Sequence, residues 1–375
     1  METVSKIEIY CDGKHVGTLA PFGKYQTAFE YSKEWISTGF SISPFSLPLE
    51  PGVKIAKPSP FNGLFGIFED SLPDGWGRLL VDRMLRKEGE DPEKKTPLGR
   101  LSIVGDSGMG ALEYKPVYKR TKLSGISDLD ILAAECKKIL NSKKTNKLDT
   151  LFALGGSSGG ARPKVMMKLD DGEWIIKFPS SGDPAIIGVM EYDYNMCAKA
   201  CGIDVPEVKL FRSAHCPGYF GSKRFDRIKT EKGESKVHMA SVSALLEVSH
   251  RVPALDYTTL MALTWQLTKD AGELEIMFRL MCFNIFSHNR DDHSNNFSFL
   301  CGNGIWRLAP AYDLTYSNSV GGEHATTVAG EGKNPEIKDI LAVAKKAGIK
   351  ESAARQIAEN VRDNVNSMLS KYISK

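Results

Sequence analysis

The sequence predicts an α+β chain: a β-rich N-terminal module, a middle region of paired strands and helices, and a mostly helical C-terminal part. Three observations lead there. Apolar and polar residues alternate at 4–10 and 15–19 around Asp12-Gly13, the period-2 pattern of a hairpin whose turn needs positive φ. A second alternating pair, 164–169 and 173–178, flanks Asp171-Gly172. Beyond Lys236 the apolar residues recur mainly at helical spacing. The expected division is an accessory module over 1–120, a strand-rich part over 121–236 and a helical part over 237–375.

Taken in order, "SISPFSLPLEPG" (41–52) is rich in Pro and Ser and reads as extended or looped. In "WGRLLVDRMLRKEG" (76–89), Trp76, Leu79, Leu80 and Met84 share one helical face, and Gly89 is the stop signal. "GDSGMGALEYKP" (105–116) reads as a Gly-rich turn and a strand. "SDLDILAAECKKIL" predicts a helix over 127–140, with Ser127 as N-cap, Asp130 three residues on, and a stripe of Leu129, Leu132, Cys136, Ile139 and Leu140. A Gly/Ser loop begins near Leu154, a helix over 186–201 closes at Gly202, and "YFGSKRFDRI" (219–228) reads as one strand. "GELEIMFRLMCFNIF" (272–286) is apolar nearly all round, the mark of a buried helix. A hairpin over 296–300 and 305–310, with Gly302 and Gly304 in its turn, precedes a last helix over 349–374. Its expected stripe is Ala353, Ile357, Val361, Val365, Met368 and Ile373.

The 375 residues are 42% hydrophobic and 25% charged, and a chain of this length can bury a core without staples. A formal charge of +3 is too mild to mark a nucleic-acid or membrane surface. Seven cysteines without a CxxC pair fit a reducing compartment, and Cys197 and Cys201, four apart, suit core packing. "METVSKIEIYCDGK" carries no apolar h-region, and no apolar run reaches membrane-spanning length. A cytoplasmic location is expected.

The densest polar stretch is "HNRDDHSNNFSF" (288–299). Alone it reads as a metal site, since His and Asp are ligands of first-row metals. It also reads as acid–base groups or as a turn. Its spacing fits no common zinc pattern. Order along the chain favours another reading. A Gly-rich loop, "GGSSGGA", precedes Lys177 on a strand; a helix and another strand follow, then a helical part, and then Asp291 and Asn296, five apart. Asp313 comes 17 residues beyond Asn296, after the hairpin. Phosphoryl transfer needs such parts: backbone N–H groups near phosphates, a lysine to neutralise their charge, a carboxylate to accept the nucleophile's proton, and hard oxygen ligands for Mg²⁺. Each piece alone has a plainer reading, such as a flexible loop, a surface lysine or a capping asparagine. Glu191, on the helix after Lys177, reads equally as its ion partner or as a solvent-facing residue. Asp226, between Arg224 and Arg227, reads as a structural ion pair.

With these motifs in order, the sequence resembles the HipA family of serine/threonine kinases, the toxin halves of bacterial toxin–antitoxin pairs. "SPFSLPLEPG" and "FEDSLPDGWGRLLV" are similar to the family's N-terminal module. "GGSSGGARPKV", "WIIKFP", "GIDVPEV", "KRFDR", "HNRDDHSNNFSF" and "LAPAYDL" are similar to its kinase core. The resemblance implies a two-lobed, protein kinase-like fold that uses ATP and Mg²⁺. It implies Asp291 as catalytic base, and Asn296 and Asp313 as Mg²⁺ ligands. It implies Lys177 on the ATP phosphates and Gly159, Gly160 and Ala161 in the phosphate-side loop. Lys223 and Phe225 would line the adenine side, Lys223 by its backbone, because the family often has a carboxylate there. His293 would orient the loop, and Ser157 would be the autophosphorylated serine. It further implies a protein substrate such as an aminoacyl-tRNA synthetase, and a small DNA-binding antitoxin (HipB-like) as partner. A small-molecule kinase and a catalytically weak binding scaffold remain the alternative readings.

Overall fold

Asp12-Gly13 closes a hairpin in the computed structural model of the chain, which describes residues 4–118, 128–231 and 233–373. Both turn residues have positive φ, 49° and 75°, the backbone twist that two-residue hairpins need. Strands Ile7–Cys11 and Lys14–Phe22 flank the turn. They lie in a five-stranded antiparallel sheet with Gln26–Tyr31, Lys54–Ile55 and Leu112–Lys115. Ile7, Ile9, Val16, Leu19 and Phe29 are fully buried, so the alternation in the sequence is the alternation between the two faces of this sheet.

The described chain divides into two compact units: Met1–Val189 with Val208–Ala240, and Met190–Glu207 with Ser241–Lys375. In the first, the helix Gly75–Lys87 is capped by Asp74 and followed by Gly89 at φ 78°. Its Trp76, Leu80 and Met84 join one core with Cys136, Phe152 and Trp174. Each large side chain buried there contributes roughly 1.5–3 kcal/mol. That core backs a four-stranded antiparallel sheet in the order Lys164–Leu169, Gly172–Lys177, Tyr219–Lys223, Val208–Phe211.

Several elements depart from the sequence-based expectation. The helix expected over 127–140 runs from Leu129 to Leu140, and its N-cap is Asp128, whose side chain accepts from the amides of Asp130 and Ile131. Ser127, the expected cap, lies outside the described residues. A helix not anticipated, Leu148–Gly155, precedes the Gly/Ser loop; its Leu151 and Phe152 are buried. The stretch 219–228 is not one strand. It ends at Lys223 and resumes as Arg227–Thr230, paired with Gly233–Lys236. The break lets Asp226 turn inward, where it is fully buried between two arginines.

In the second unit, the helix Ala271–Phe286 is buried over most of its length. It contacts the helices Tyr257–Thr268 and Glu351–Ile373. The last helix buries Ala354, Ile357, Val361, Val365 and Leu369, whereas Ala353 and Met368 of the expected stripe face solvent. The inward row follows the 3.6-residue period from Ala354, one position on from the start taken in the sequence. Ser374, the expected end, lies outside the described residues. The hairpin is Ser298–Gly302 with Ile305–Leu308; Gly302 pairs with Ile305, so the turn is Asn303-Gly304. Among the described residues no helix is long and apolar enough to cross a membrane.

Candidate active site

In the second unit, "HNRDDHSNN" forms the loop that leaves the buried helix Ala271–Phe286. His288 turns the chain at φ 55°. Burial, followed by the nearby Arg290 and His324, holds its imidazole below the usual range. The tandem aspartates part company. Asp291 keeps 63% of its side-chain surface exposed, and its Oδ1 lies 3.8 Å from His293 Nε2. Asp292 is buried, and its two carboxylate oxygens accept from Tyr257, His324 and the amides of Ala325 and Thr326. One aspartate can meet a substrate; the other is a structural anchor.

Asn296 Nδ2 donates to the Asp291 carbonyl at 2.7 Å, which turns its amide oxygen away from that bond. The Asn296 amide donates to the His293 carbonyl, and the Asn295 amide donates to His293 Nδ1 at 3.3 Å. His293 thus caps the short 3₁₀ turn Ser294–Asn296 and also stands beside His250, ring centroids 5.4 Å apart. The other histidine of the motif, His288, faces Tyr316 instead. Asp313 is half-buried and holds a left-handed backbone at φ 54°. For a non-glycine residue this conformation is strained, a feature that collects at functional sites. Asn296 and Asp313 supply hard oxygen atoms, the donor type that Mg²⁺ takes, so their chemistry fits that ion. Ser287, Asn289, Arg290, Ser294 and Asn295 each keep a buried side-chain polar atom without a hydrogen-bond partner. A run of such atoms in one loop departs from the rule for buried polar groups.

In the first unit, the Gly/Ser loop follows the helix Leu148–Gly155. Gly159, Gly160 and Ala161 are exposed, and Gly160 takes φ 79°. The carbonyls of the two glycines are held from behind. Lys164 Nζ donates to the Gly159 carbonyl at 2.6 Å, and the Trp76 amide donates to the Gly160 carbonyl at 2.8 Å. Ser158 is buried and donates to the Gly155 carbonyl. Ser157 is half-buried and donates to the Ser107 carbonyl at 2.9 Å. The two serines, neighbours in sequence, therefore differ in access. Lys164, which sequence reasoning passed over, sits directly opposite Lys177 in the strand pair.

Lys177 is half-buried at the end of its strand, its Nζ 5.5 Å from the Phe220 ring centroid. Lys223 lies over Trp174 at 5.9 Å, which uses its side chain in packing. Phe225 is half-buried, two residues beyond the end of that strand. Asp226 accepts from Arg224 at 3.0 and 2.7 Å, from Arg227 at 2.8 Å and from the Gly110 amide at 2.7 Å. Burial raises its pKa, but the two guanidiniums outweigh that and hold it below the usual carboxylate range. This is the structural ion pair expected from "RFDR", and it also ties down the turn around Gly108 and Gly110. Glu191, read as exposed or as a lysine partner, is buried within the second unit.

Comparison with known proteins agrees along most of the chain. The HipA-like C-terminal domain family matches residues 156–369, and the HipA N-terminal domain family matches residues 7–115. A relative from Sinorhizobium fredii, named "Putative kinase Y4mE", is 25% identical over 346 residues, covering 83% of this chain and 77% of that protein. A chain in the solved complex of Shewanella oneidensis MR-1 HipA, HipB and operator DNA superposes with a TM-score of 0.72. It has 16% identity and covers 98% of this chain and 91% of its own. The fold is therefore HipA-like, mixed α and β, as the resemblance implied.

Proposed function

We propose that this chain, which belongs to the HipA-like family, is an ATP- and Mg²⁺-dependent serine/threonine protein kinase. The observation that carries the reading is the sorting of two adjacent aspartates: Asp291 open to solvent beside His293 and Asn296, Asp292 buried and saturated with donors. Only an accessible carboxylate can take the proton of an acceptor hydroxyl, a role that contributes about 10²–10⁴-fold to rate.

In this reading Asp291 is the general base, and His293 orients the loop that carries it. Asn296 and Asp313 hold Mg²⁺, which when bound neutralises phosphate charge. Lys177 pairs with the ATP phosphates. Gly159, Gly160 and Ala161 offer backbone N–H groups to them, because their carbonyls are engaged behind the loop or they carry little side chain. Lys223, by its backbone, and Phe225 line the adenine side. Ser157 is the autophosphorylation site; a phosphate there would add roughly −1.5 to −2 charges next to those of ATP and weaken its binding. The same reading keeps the division into an accessory part at 1–120, a nucleotide-side part at 121–236 and a catalytic part at 237–375. It makes the chain the cytoplasmic toxin of a toxin–antitoxin pair. The substrate is a protein such as an aminoacyl-tRNA synthetase, and the partner is a HipB-like DNA-binding protein; the Shewanella relative was solved with HipB.

The test is label transfer from γ-labelled MgATP to the chain itself and to proteins of a lysate, followed by identification of the labelled residues. Asp291→Asn should lower transfer by at least about 10²-fold while thermal stability and nucleotide affinity stay close to wild type. Near-normal transfer by that variant would remove Asp291 from the role of base.

A further inference from the structure

We infer that Asp292 is a positioning residue: the buried end of a one-way hydrogen-bond circuit that aims Asp291 outward. This rests on the kinase reading and deepens it. The circuit starts at Asn289, whose Nδ2 donates to Asn284 Oδ1 at 2.9 Å. Asn284 Nδ2 donates to the Tyr257 hydroxyl at 2.9 Å, and that hydroxyl donates to Asp292 Oδ2 at 2.8 Å. Donors point one way along the whole chain, toward a carboxylate. Burial and then the adjacent Asp292 charge push the Tyr257 hydroxyl well above its ordinary pKa, so it stays a donor.

The two ends of the circuit, Asn289 and Asp292, bracket Asp291 in the same loop. Each of the four members is at most 3% exposed, while Asp291 between them is 63% exposed. From the far side, His324 Nδ1 donates to Oδ2 at 3.0 Å, and the amides of Ala325 and Thr326 donate to Oδ1 at 2.9 and 3.2 Å. The Thr326 hydroxyl donates to the Asp292 carbonyl. Asp292 thus takes four donors on two oxygens, which only a carboxylate can do. An asparagine would present its NH₂ to two of them: set against Tyr257 and His324 it makes the circuit reverse at every member, and set against the amides of Ala325 and Thr326 it meets two donors that cannot reverse. A loop pinned on both sides of one residue loses the freedom to misplace it, and a misplacement of about 1 Å can lower a rate by roughly 10²-fold.

The experiment compares wild type, Asp292→Asn and Tyr257→Phe by initial rates of label transfer from MgATP, each also in an Asp291→Asn background. Asp292→Asn should lose at least about ten-fold in kcat, and Tyr257→Phe a smaller amount, with KM for MgATP within about two-fold of wild type. In the Asp291→Asn background neither should lower the residual rate further, because both act through that carboxylate. A merely structural role would lower the rate in both backgrounds, and that result overturns the inference. So does an unchanged kcat. A wild type that transfers no phosphoryl group overturns the kinase reading and this role with it. An active wild type with a fully active Asp292→Asn overturns this role alone. If Asp292→Asn does not fold, Tyr257→Phe, which keeps the ring, gives the same reading.

Discussion

Gly77→Ala should loosen the Gly-rich loop, although alanine favours a helix. Gly77 lies in the first turn of Gly75–Lys87. A Cβ built there would stand 2.1 Å from the carbonyl oxygen of Ser158, a backbone atom. Real Cβ contacts essentially never fall under 3.0 Å, so helix and loop must separate by at least 0.9 Å, the difference between those two distances. That movement opposes the 2.8 Å bond from the Trp76 amide to the Gly160 carbonyl. Overpacking of this kind destabilises by about 1–3 kcal/mol, and leaving a buried amide unsatisfied by about 1–3 kcal/mol. Against this stands at most about 1 kcal/mol of helix propensity. The expected net loss is about 1–5 kcal/mol, with weaker nucleotide binding because the displaced loop is the proposed phosphate-side backbone. Gly99→Ala is the control: its Cβ would meet only side-chain atoms of Lys95 and Thr96 at 3.2–3.4 Å. Urea unfolding midpoints and calorimetric ATP titration read both effects. If Gly77→Ala gains stability as Gly99→Ala does, and binds nucleotide as wild type does, the clasp between helix and loop is not what holds the loop.

Asp226→Ala removes the fully buried anion shared by Arg224 and Arg227 and leaves them the partly exposed Glu173 carboxylate, at 3.3 and 3.4 Å; thermal unfolding should show a loss of about 3–5 kcal/mol. His238 is fully buried and bonds the Ile42 carbonyl; burial holds its pKa down at about 4 against an ordinary 6.5, though the carbonyl pulls it up. Between those values the unfolded chain binds the extra proton, so His238 adds stability at neutral pH that drains away as pH falls from 6.5 toward 4. The change is about 3 kcal/mol in total, and a His238→Gln variant should flatten that part of the stability–pH curve. Asp313→Ala should abolish the Mg²⁺ dependence of ATP affinity; equal wild-type affinity with and without Mg²⁺ in calorimetry would contradict the proposed ligand role.

Much of the fold was legible because local rules settle it. The hairpin at Asp12-Gly13, the strand pair around Asp171-Gly172 and the helix closed by Gly202 need only alternation, spacing and a residue that accepts positive φ. The order of the Gly-rich loop, Lys177, Asp291, Asn296 and Asp313 was visible in the same way. What the sequence could not decide were questions of burial between segments far apart in the chain. Asp291 and Asp292 are chemically identical neighbours; Tyr257, 35 residues away, and the segment His324, Ala325 and Thr326, 32 to 34 residues away, make one of them an anchor and leave the other exposed. Ser157 and Ser158 are likewise alike in sequence, and the backbone contacts of the loop bury only the second. The strand at 219–228 breaks because Asp226 finds Arg224 beside it and the Gly110 amide 116 residues away. Periodicity reports which side chains share a face, but the electrostatic penalty of burying a charge is offset only by partners that the tertiary fold brings to it.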